Sequence, residues 1–304
     1  MVELIVAKIS VVVSVVREEI GVLARALDSV KDLAFEIVVV DMSGTSEVKE
    51  IVGKYKAELF SHEFSPYVEP VRNFGISKTK GDWILILDPD EEIPGPLARK
   101  LKKLSEKPTA DFYRLPRKNI VFGKWLKYSR WWPDYIVRFF KKGTVSWGEA
   151  IHWVPVTNGI GKELEPKEDF AIVHHHYDSI EQYTERLNRY TSIQADLIGK
   201  KNYEFSWVDL IKKPSGEFLS RFFAGDGYKD GVHGLALALL QGFSELIVYL
   251  KVWQKKGFDE SAIKLDEFSK AAGEAGRDLR YWQADAKVKS GGGILHKIKR
   301  KFKI

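Results

Sequence analysis

The run "KISVVVSVV", Lys8 to Val16, limits the fold more than any other stretch of the chain. A strand with one wet face alternates apolar and polar residues. A continuous β-branched run is instead the pattern of a strand covered on both faces, as in the parallel sheets of α/β proteins. The residues that follow keep to that plan. Ile20, Leu23, Leu27 and Val30 recur at helical spacing. "FEIVVVD" reads as a second strand ending at Asp41, and the "MSGTSE" turn after it predicts a capped helix from near Glu47. A short strand around Leu59, a helix from Val71 and the strand "GDWILILD" extend the alternation, which predicts an open parallel sheet. Ligands of such sheets bind beyond the carboxyl ends of the strands, where Asp41 and Asp88 fall.

The fourth strand runs straight into "DPDEEI", with carboxylates at Asp88, Asp90, Glu91 and Glu92. Two carboxylates one residue apart at a strand's carboxyl end can hold a hard divalent cation that also takes phosphate oxygens. A solvated turn that stops the strand accounts for the same residues, because D-x-D is a short pattern and "PGP" is ordinary loop chemistry. Composition removes other classes. With 44% apolar and 30% charged residues over 304 positions the chain is not disordered, and "GLALALLQGFSELIVYLKVW" is broken by Gln241, Glu245 and Lys251, against a membrane span. Zero cysteines exclude disulfides and thiolate metal sites. No basic and apolar leader is read at the N-terminus, so a cytoplasmic protein is expected. The net charge of +6 owes much to "KIKRKFKI", whose eight residues hold five cations. No nucleic-acid recognition motif accompanies that charge, and nucleic acid is not expected as a partner.

Context gives the D-x-D more weight. "RNFGISKTKGDWILILDPDEEI" resembles the donor-site region of glycosyltransferase family 2, and "VVVD" resembles that family's second strand with its nucleotide-contacting aspartate. "LPRKNIVFGKWLKYSRWWPDYIVRFF", followed by "GLALAL", is similar to the branch that builds lipopolysaccharide cores and related glycans. The resemblance runs in order over about residues 8 to 255. It implies a GT-A fold, a mixed α/β sheet with a C-terminal helical extension. It also implies a nucleoside-diphosphate sugar donor, a divalent cation (Mn2+ or Mg2+), inversion at the anomeric carbon, and a glycan or lipid-linked acceptor.

On that resemblance the donor side comprises Glu18, Asp41, Arg72, Asn73, Asp88 and Arg138, with Arg72 and Arg138 on the diphosphate. Asp90 holds the cation, with Asp88 supporting it or contacting the ribose. Two departures matter. The family's Pro-Thr-Tyr-Asn-Glu turn is here "SVVRE", which keeps only the acid, Glu18. Where the branch has His-Glu, with the carboxylate as base, His152 is followed by Trp153, and tryptophan cannot accept a proton from a hydroxyl. The base is then Glu149, Asp134 or His152, or activity is lost and the chain is a noncatalytic glycan- or membrane-binding relative. Glu91 is read as supporting the site or solvated, and Glu92 as solvated.

In "HHHY" only His174 and His176 share a strand face, so His176 is the candidate third metal ligand, with packing as the competing explanation. Trp131 and Trp132 suit sugar rings or an apolar acceptor, with core burial equally open. From Asp178 the pattern turns helical. Asp178 and Glu181 are expected to form a capping box, and an aromatic and basic stretch, Phe218 to Tyr228, suits a bilayer surface. The expected organisation is a catalytic domain over 1–177, a helical domain over 178–290 and a basic amphipathic tail over 291–304. After a flexible "SGGG", that tail places Ile294, Leu295, Ile298 and Phe302 along one side of a helix, an anchor for an anionic membrane on the cytoplasmic face, with a disordered solvated end equally open.

Overall fold

The computed structural model describes residues 7–65, 68–148, 155–201 and 203–302. In chain order the strands are β1 (Ile9–Val15), β2 (Glu36–Asp41), β3 (Glu58–Ser61), β4 (Trp83–Leu87), β5 (Glu91–Glu92), β6 (Phe112–Val121), β7 (Lys124–Trp125), β8 (Asp134–Lys141), β9 (Val145–Ser146), β10 (Val156–Thr157), β11 (Gly161–Glu163) and β12 (Ile172–Tyr177). The helices are α1 (Ile20–Val30), α2 (Ser46–Lys54), α3 (Glu69–Lys78), α4 (Gly95–Glu106), α5 (Ile180–Gly199), α6 (Asp209–Leu219), α7 (Val232–Lys255), α8 (Leu265–Lys289) and α9 (Ile294–Phe302).

The chain forms two compact units, Met1–Ile120 with Pro133–His176, and Val121–Trp132 with Tyr177–Ile304. The short excursion at 121–132 belongs with the helices, which a single cut after residue 177 does not express.

In the first unit β3, β2, β1 and β4 lie parallel, and β8 and then β6 continue the sheet antiparallel. All seven residues of β1 are buried, and its alternation divides them between two layers. Val11, Val13 and Val15 pack with Leu23 and Leu27 of α1 and Leu97 and Leu101 of α4. Val12 packs on the other face with Val38, Ile84 and Val71 of α3. That is why the run has no polar alternation: helices cover both sides. Helix α3 comes close because residue 75 is glycine; a Cβ there would stand 2.5 Å from Val12 Cγ1. The layers leave the carboxyl ends of β1, β2 and β4 together at one sheet edge, with Val15 opposite Asp41 and Val13 opposite Leu87.

The helical unit is centred on α7, which packs against α5 and α6. Leu237, Ala238, Gly242, Val248 and Val252 are its buried face, and Tyr183 of α5 bonds both Ser244 and Gln241. Helix α7 is long and apolar enough to cross a membrane by length and composition, with 33% of its most apolar window buried. Two local expectations are corrected. The N-cap of α5 is Ser179, whose Oγ accepts from the Gln182 amide at 3.2 Å, while Asp178 instead donates its amide to Gln182 Oε1 at 2.8 Å.

The glycines after α8 are not a slack linker. Gly291 takes φ +87°, its amide donates to Val288 O at 3.1 Å and the Gly292 amide donates to Lys287 O at 2.7 Å. This is a Schellman stop, in which only glycine adopts the left-handed position freely. It turns α9 back along α8, where Arg300 bonds the buried Asp285 at 3.0 Å.

Candidate active site

The acidic turn after β4 is held from inside. Glu91 is fully buried; its Oε2 accepts from the Asp88 amide at 3.0 Å, and the Glu91 amide donates to Asp88 O at 2.9 Å. Arg138 of β8 stands between Glu91, at 3.1 Å, and Asp88, which it also bonds. Arg72 of α3 adds bonds of 2.9 and 3.2 Å to the two Asp88 oxygens. Burial alone would raise the Asp88 pKa, but the charges of Arg138 and Arg72 hold it far below the usual carboxylate range. Burial opposes the Arg138 charge too, and Asp88 and Glu91 reverse that and raise its pKa. Glu91 is thus shut away from water, and Glu92, half-buried, is tied to partners rather than left free. Glu92 bonds His175 at 2.6 Å and Arg25 at 3.1 Å, because the pairing of β5 with β12 brings the histidine run alongside.

This lattice carries a stability prediction. Arg138→Met leaves Glu91 the Asp88 amide and one cation, Arg117 at 3.5 Å, and breaking a buried ion pair from one side costs about 3–5 kcal/mol. Thermal melts should show the first unit destabilised by that order. Because the folded pKa of Asp88 lies below its unfolded value, the pair's contribution is fully present above about pH 4 and is lost as pH falls further. The deficit of the variant should therefore stay constant from neutral pH down to about pH 5 and shrink only on stronger acidification. A variant that melts with the wild type would show the lattice to be energetically idle.

Beside the lattice lies a cavity of about 650 Å3. Arg72, Arg114, Arg117 and Arg138 line it against two carboxylates, Glu69 and Asp88, an excess of positive charge suited to a diphosphate. Trp147 walls it as well, with the Arg72 guanidinium 5.5 Å from its ring centre. Asn73 spends its whole amide on Trp147, donating to its carbonyl at 2.7 Å and accepting from its amide at 3.0 Å. It therefore clamps the chain that leaves β9. Strands β9 and β10 pair antiparallel, and the described residues at either end of the intervening segment, Trp147 and Pro155, both line the cavity. Glu149, His152 and Trp153 lie in that segment, outside the described residues.

The remaining residues fall at the same sheet edge or outside it. Asp41 is buried, and its Oδ1 accepts from the amide and hydroxyl of Ser43 at 2.7 and 2.6 Å. Glu18 is exposed in a 3-10 turn directly after β1. Asp134 Oδ2 accepts from Arg117 Nε and Nη2 at 2.9 and 2.6 Å and from Asn119 Nδ2 at 3.1 Å. Trp131 packs in the core of the helical unit, and Trp132 meets Trp125 edge-on in that unit with ring centres 5.1 Å apart.

Asp90 joins the histidines: its Oδ2 is 3.6 Å from His174 Nε2, and His176 Nδ1 is 3.1 Å from the same nitrogen. Asn119 fixes the orientation. Its amide nitrogen donates to Asp134, so its oxygen faces His174 Nδ1 at 2.6 Å and requires a proton there. Among the described residues no set of three or more His, Cys, Asp or Glu side chains has closed to ligand spacing. Asp90 and His176 still fit a divalent cation in kind: one hard oxygen and one imidazole, too few to close a shell, suit an ion that completes its coordination with phosphate oxygens and water.

Sequence reasoning missed Arg114, Arg117 and Asn119, and of its two readings of Glu91, support or solvation, burial favours the first. Arg117 and Asn119 stand two apart on β6, hence on one face, but the register that sets Arg117 opposite Asp134 is not written in the local pattern.

Comparison with known proteins places the chain among sugar-transferring enzymes. The family model described as glycosyl transferase family 2 matches residues 10–161, half of the chain. An uncharacterized glycosyltransferase of Rickettsia typhi is 24% identical over 270 residues, covering 86% of this chain and 92% of the relative. A second, from Rickettsia conorii, is 24% identical over 254 residues, covering 80% and 89%. Among solved structures, S. aureus TarS 1–349 aligns with TM-score 0.44 and 13% identity over 85% of this chain and 94% of that one. Glucosyl-3-phosphoglycerate synthase of Mycobacterium tuberculosis, solved with Mn2+ and UDP, aligns with TM-score 0.31 and 21% identity over 38% and 45%.

Proposed function

The chain belongs to glycosyltransferase family 2, and from that premise we propose that it is a metal-dependent inverting enzyme that moves a sugar from a nucleoside-diphosphate donor to a glycan or lipid-linked acceptor. It is a glycosyltransferase of α/β, GT-A type with C-terminal helices. The observation that carries the finer reading is the arginine-lined cavity at the carboxyl edge of the parallel strands, with Asp88 fixed among its cations.

Sugar transfer develops positive charge at the anomeric carbon while a diphosphate leaves, so the chain must take up the leaving charge and remove a proton from the incoming hydroxyl. Arg72 and Arg138, held in place by Asp88, face the diphosphate. Asp41, the last residue of β2, contacts the nucleoside. Asp90 and His176 hold the divalent cation, which when bound supplies further neutralisation of the leaving group. Glu149 removes the acceptor's proton.

The exposed apolar side of α9 supports a membrane-side acceptor. Ile294, Leu295, Ile298 and Phe302 are 44–78% exposed, whereas Arg300 is turned inward onto Asp285. An amphipathic helix docked by its polar side and open on its apolar side, with lysines around it, suits an anionic bilayer.

A thermal-shift series tests the donor reading. A nucleoside diphosphate at one hundred times its Kd should stabilise the protein by about 2.7 kcal/mol, with Mn2+ required for the full shift. No shift with any nucleoside diphosphate, with or without the metal, would overturn it.

A further inference from the structure

A second cavity, of about 640 Å3, lies wholly within the helical unit. Arg280, Ala284 and Lys287 border it from one face of α8, at the i, i+4, i+7 spacing, and His296 and Lys299 border it from α9. Phe223 and Tyr228 border it from the turn after α6. The close return of α9 depends on Gly292, where a Cβ would stand 2.5 Å from Lys287 O and 3.0 Å from the His296 ring.

The charges on this wall are of one sign and unspent. Among the described residues Arg280, Lys287 and Lys299 make no ion pair. Neighbouring cations on the same two helices behave differently: Lys289 and Arg300 both bond Asp285, at 3.1 and 3.0 Å. The buried Asp285 of α8 is thus used by cations outside the cavity, and no carboxylate is among the described residues that line it. The Tyr228 hydroxyl is buried and has no hydrogen-bond partner among the described residues, a state that is costly unless a ligand satisfies it. Phe223, Ala284 and Ala286 form the apolar part of the wall, and the uncharged Gln283 and Ser290 also border it.

We infer that this cavity binds an anionic amphiphile, a phosphate monoester on an apolar stem. Arg280, Lys287 and Lys299 hold the phosphate, Tyr228 donates its hydroxyl, and the stem lies along Phe223 and Ala284. A soluble inorganic anion has no use for the apolar wall, and a neutral lipid leaves the cations uncompensated. The outward apolar residues of α9 set the same helix against a bilayer from which such a ligand would come. In taking the natural ligand to be a lipid phosphate, the site rests on the proposed lipid-linked acceptor. Binding is read without a sugar donor, so failure here and failure of sugar transfer are separate results.

Calorimetry on the full chain at low salt, with octyl phosphate, inorganic phosphate and octanol as probes, tests the assignment. Octyl phosphate should bind at least about tenfold more tightly than either other probe, and Arg280→Ala and Lys287→Ala should each weaken it about tenfold. Ala284→Trp, which fills the cavity, should abolish binding; the two exposed-cation variants keep the result readable if the tryptophan variant does not fold. Lys297→Ala, on α9 but outside the lining, should bind as wild type. Equal affinity for inorganic phosphate would make this a plain anion site, and equal affinity for octanol a merely apolar one. A loss in Lys297→Ala as large as in Lys287→Ala would show diffuse charge, and no binding by any probe would remove the site. Each of these four results overturns the inference.

Discussion

Asp90→Ala is expected to lower sugar transfer by roughly three orders of magnitude, the equivalent of the several kcal/mol that a bound cation contributes to a leaving diphosphate, while the protein melts as wild type. Asp88→Ala is expected to differ in kind. It strips the carboxylate shared by Arg72 and Arg138, so Arg72 loses that ion pair, Arg138 keeps only Glu91, and stability falls along with donor binding. The two aspartates are one residue apart, yet one bonds arginines and the other stands beside His174 at 3.6 Å. Donor affinity measured by calorimetry with and without Mn2+ separates them: the metal increment should vanish in Asp90→Ala and persist, from a weaker base level, in Asp88→Ala. A metal increment that survives in Asp90→Ala would remove the cation from this end of β4.

How much of this could be read before the coordinates depends on the range of the interactions concerned. The β-branched run of β1, the apolar face of α1 and the strand ends at Asp41 and Asp88 are local periodicities, and each appears where the pattern places it. The fate of the acidic turn is not local. Whether Glu91 meets water or an arginine depends on β8 lying beside β4 and β6 beside β8, pairings between segments distant in sequence. The same holds for Glu92, which only the β5 and β12 register sets against His175. The tail shows the converse limit. Its helix and its apolar side were legible, but "SGGG" in isolation reads as flexible, and only the hydrogen bonds to Val288 and Lys287 make it a helix stop. The reading of Trp131 and Trp132 fails to separate sugar platform from core for a similar reason: aromatic chemistry is the same in both, and only the neighbours, here Leu126, Tyr183 and Leu237 around Trp131, distinguish them.

Glu149→Gln is expected to keep donor binding and lower transfer by roughly two to four orders of magnitude, the usual contribution of a positioned base. The choice of Glu149 over Asp134 rests on what each neighbourhood already asks of its carboxylate. Asp134 Oδ2 takes three hydrogen bonds, from Arg117 and Asn119, and through them fixes a cavity arginine and the orientation of His174. Its loss should therefore act through donor binding: Asp134→Asn frees Arg117, so the donor KM rises while the shape of the pH–rate profile is kept. Glu149 belongs to the segment whose bracketing residues, Trp147 and Pro155, line the arginine-rich cavity and whose entry Asn73 clamps. Removing a true base takes away the ascending limb of the profile and leaves KM for the donor near its wild-type value. Steady-state kinetics from about pH 5 to 9 on the two variants distinguish a lost proton acceptor from a displaced arginine. If Glu149→Gln transfers at the wild-type rate, the assignment passes to His152, which the same segment carries.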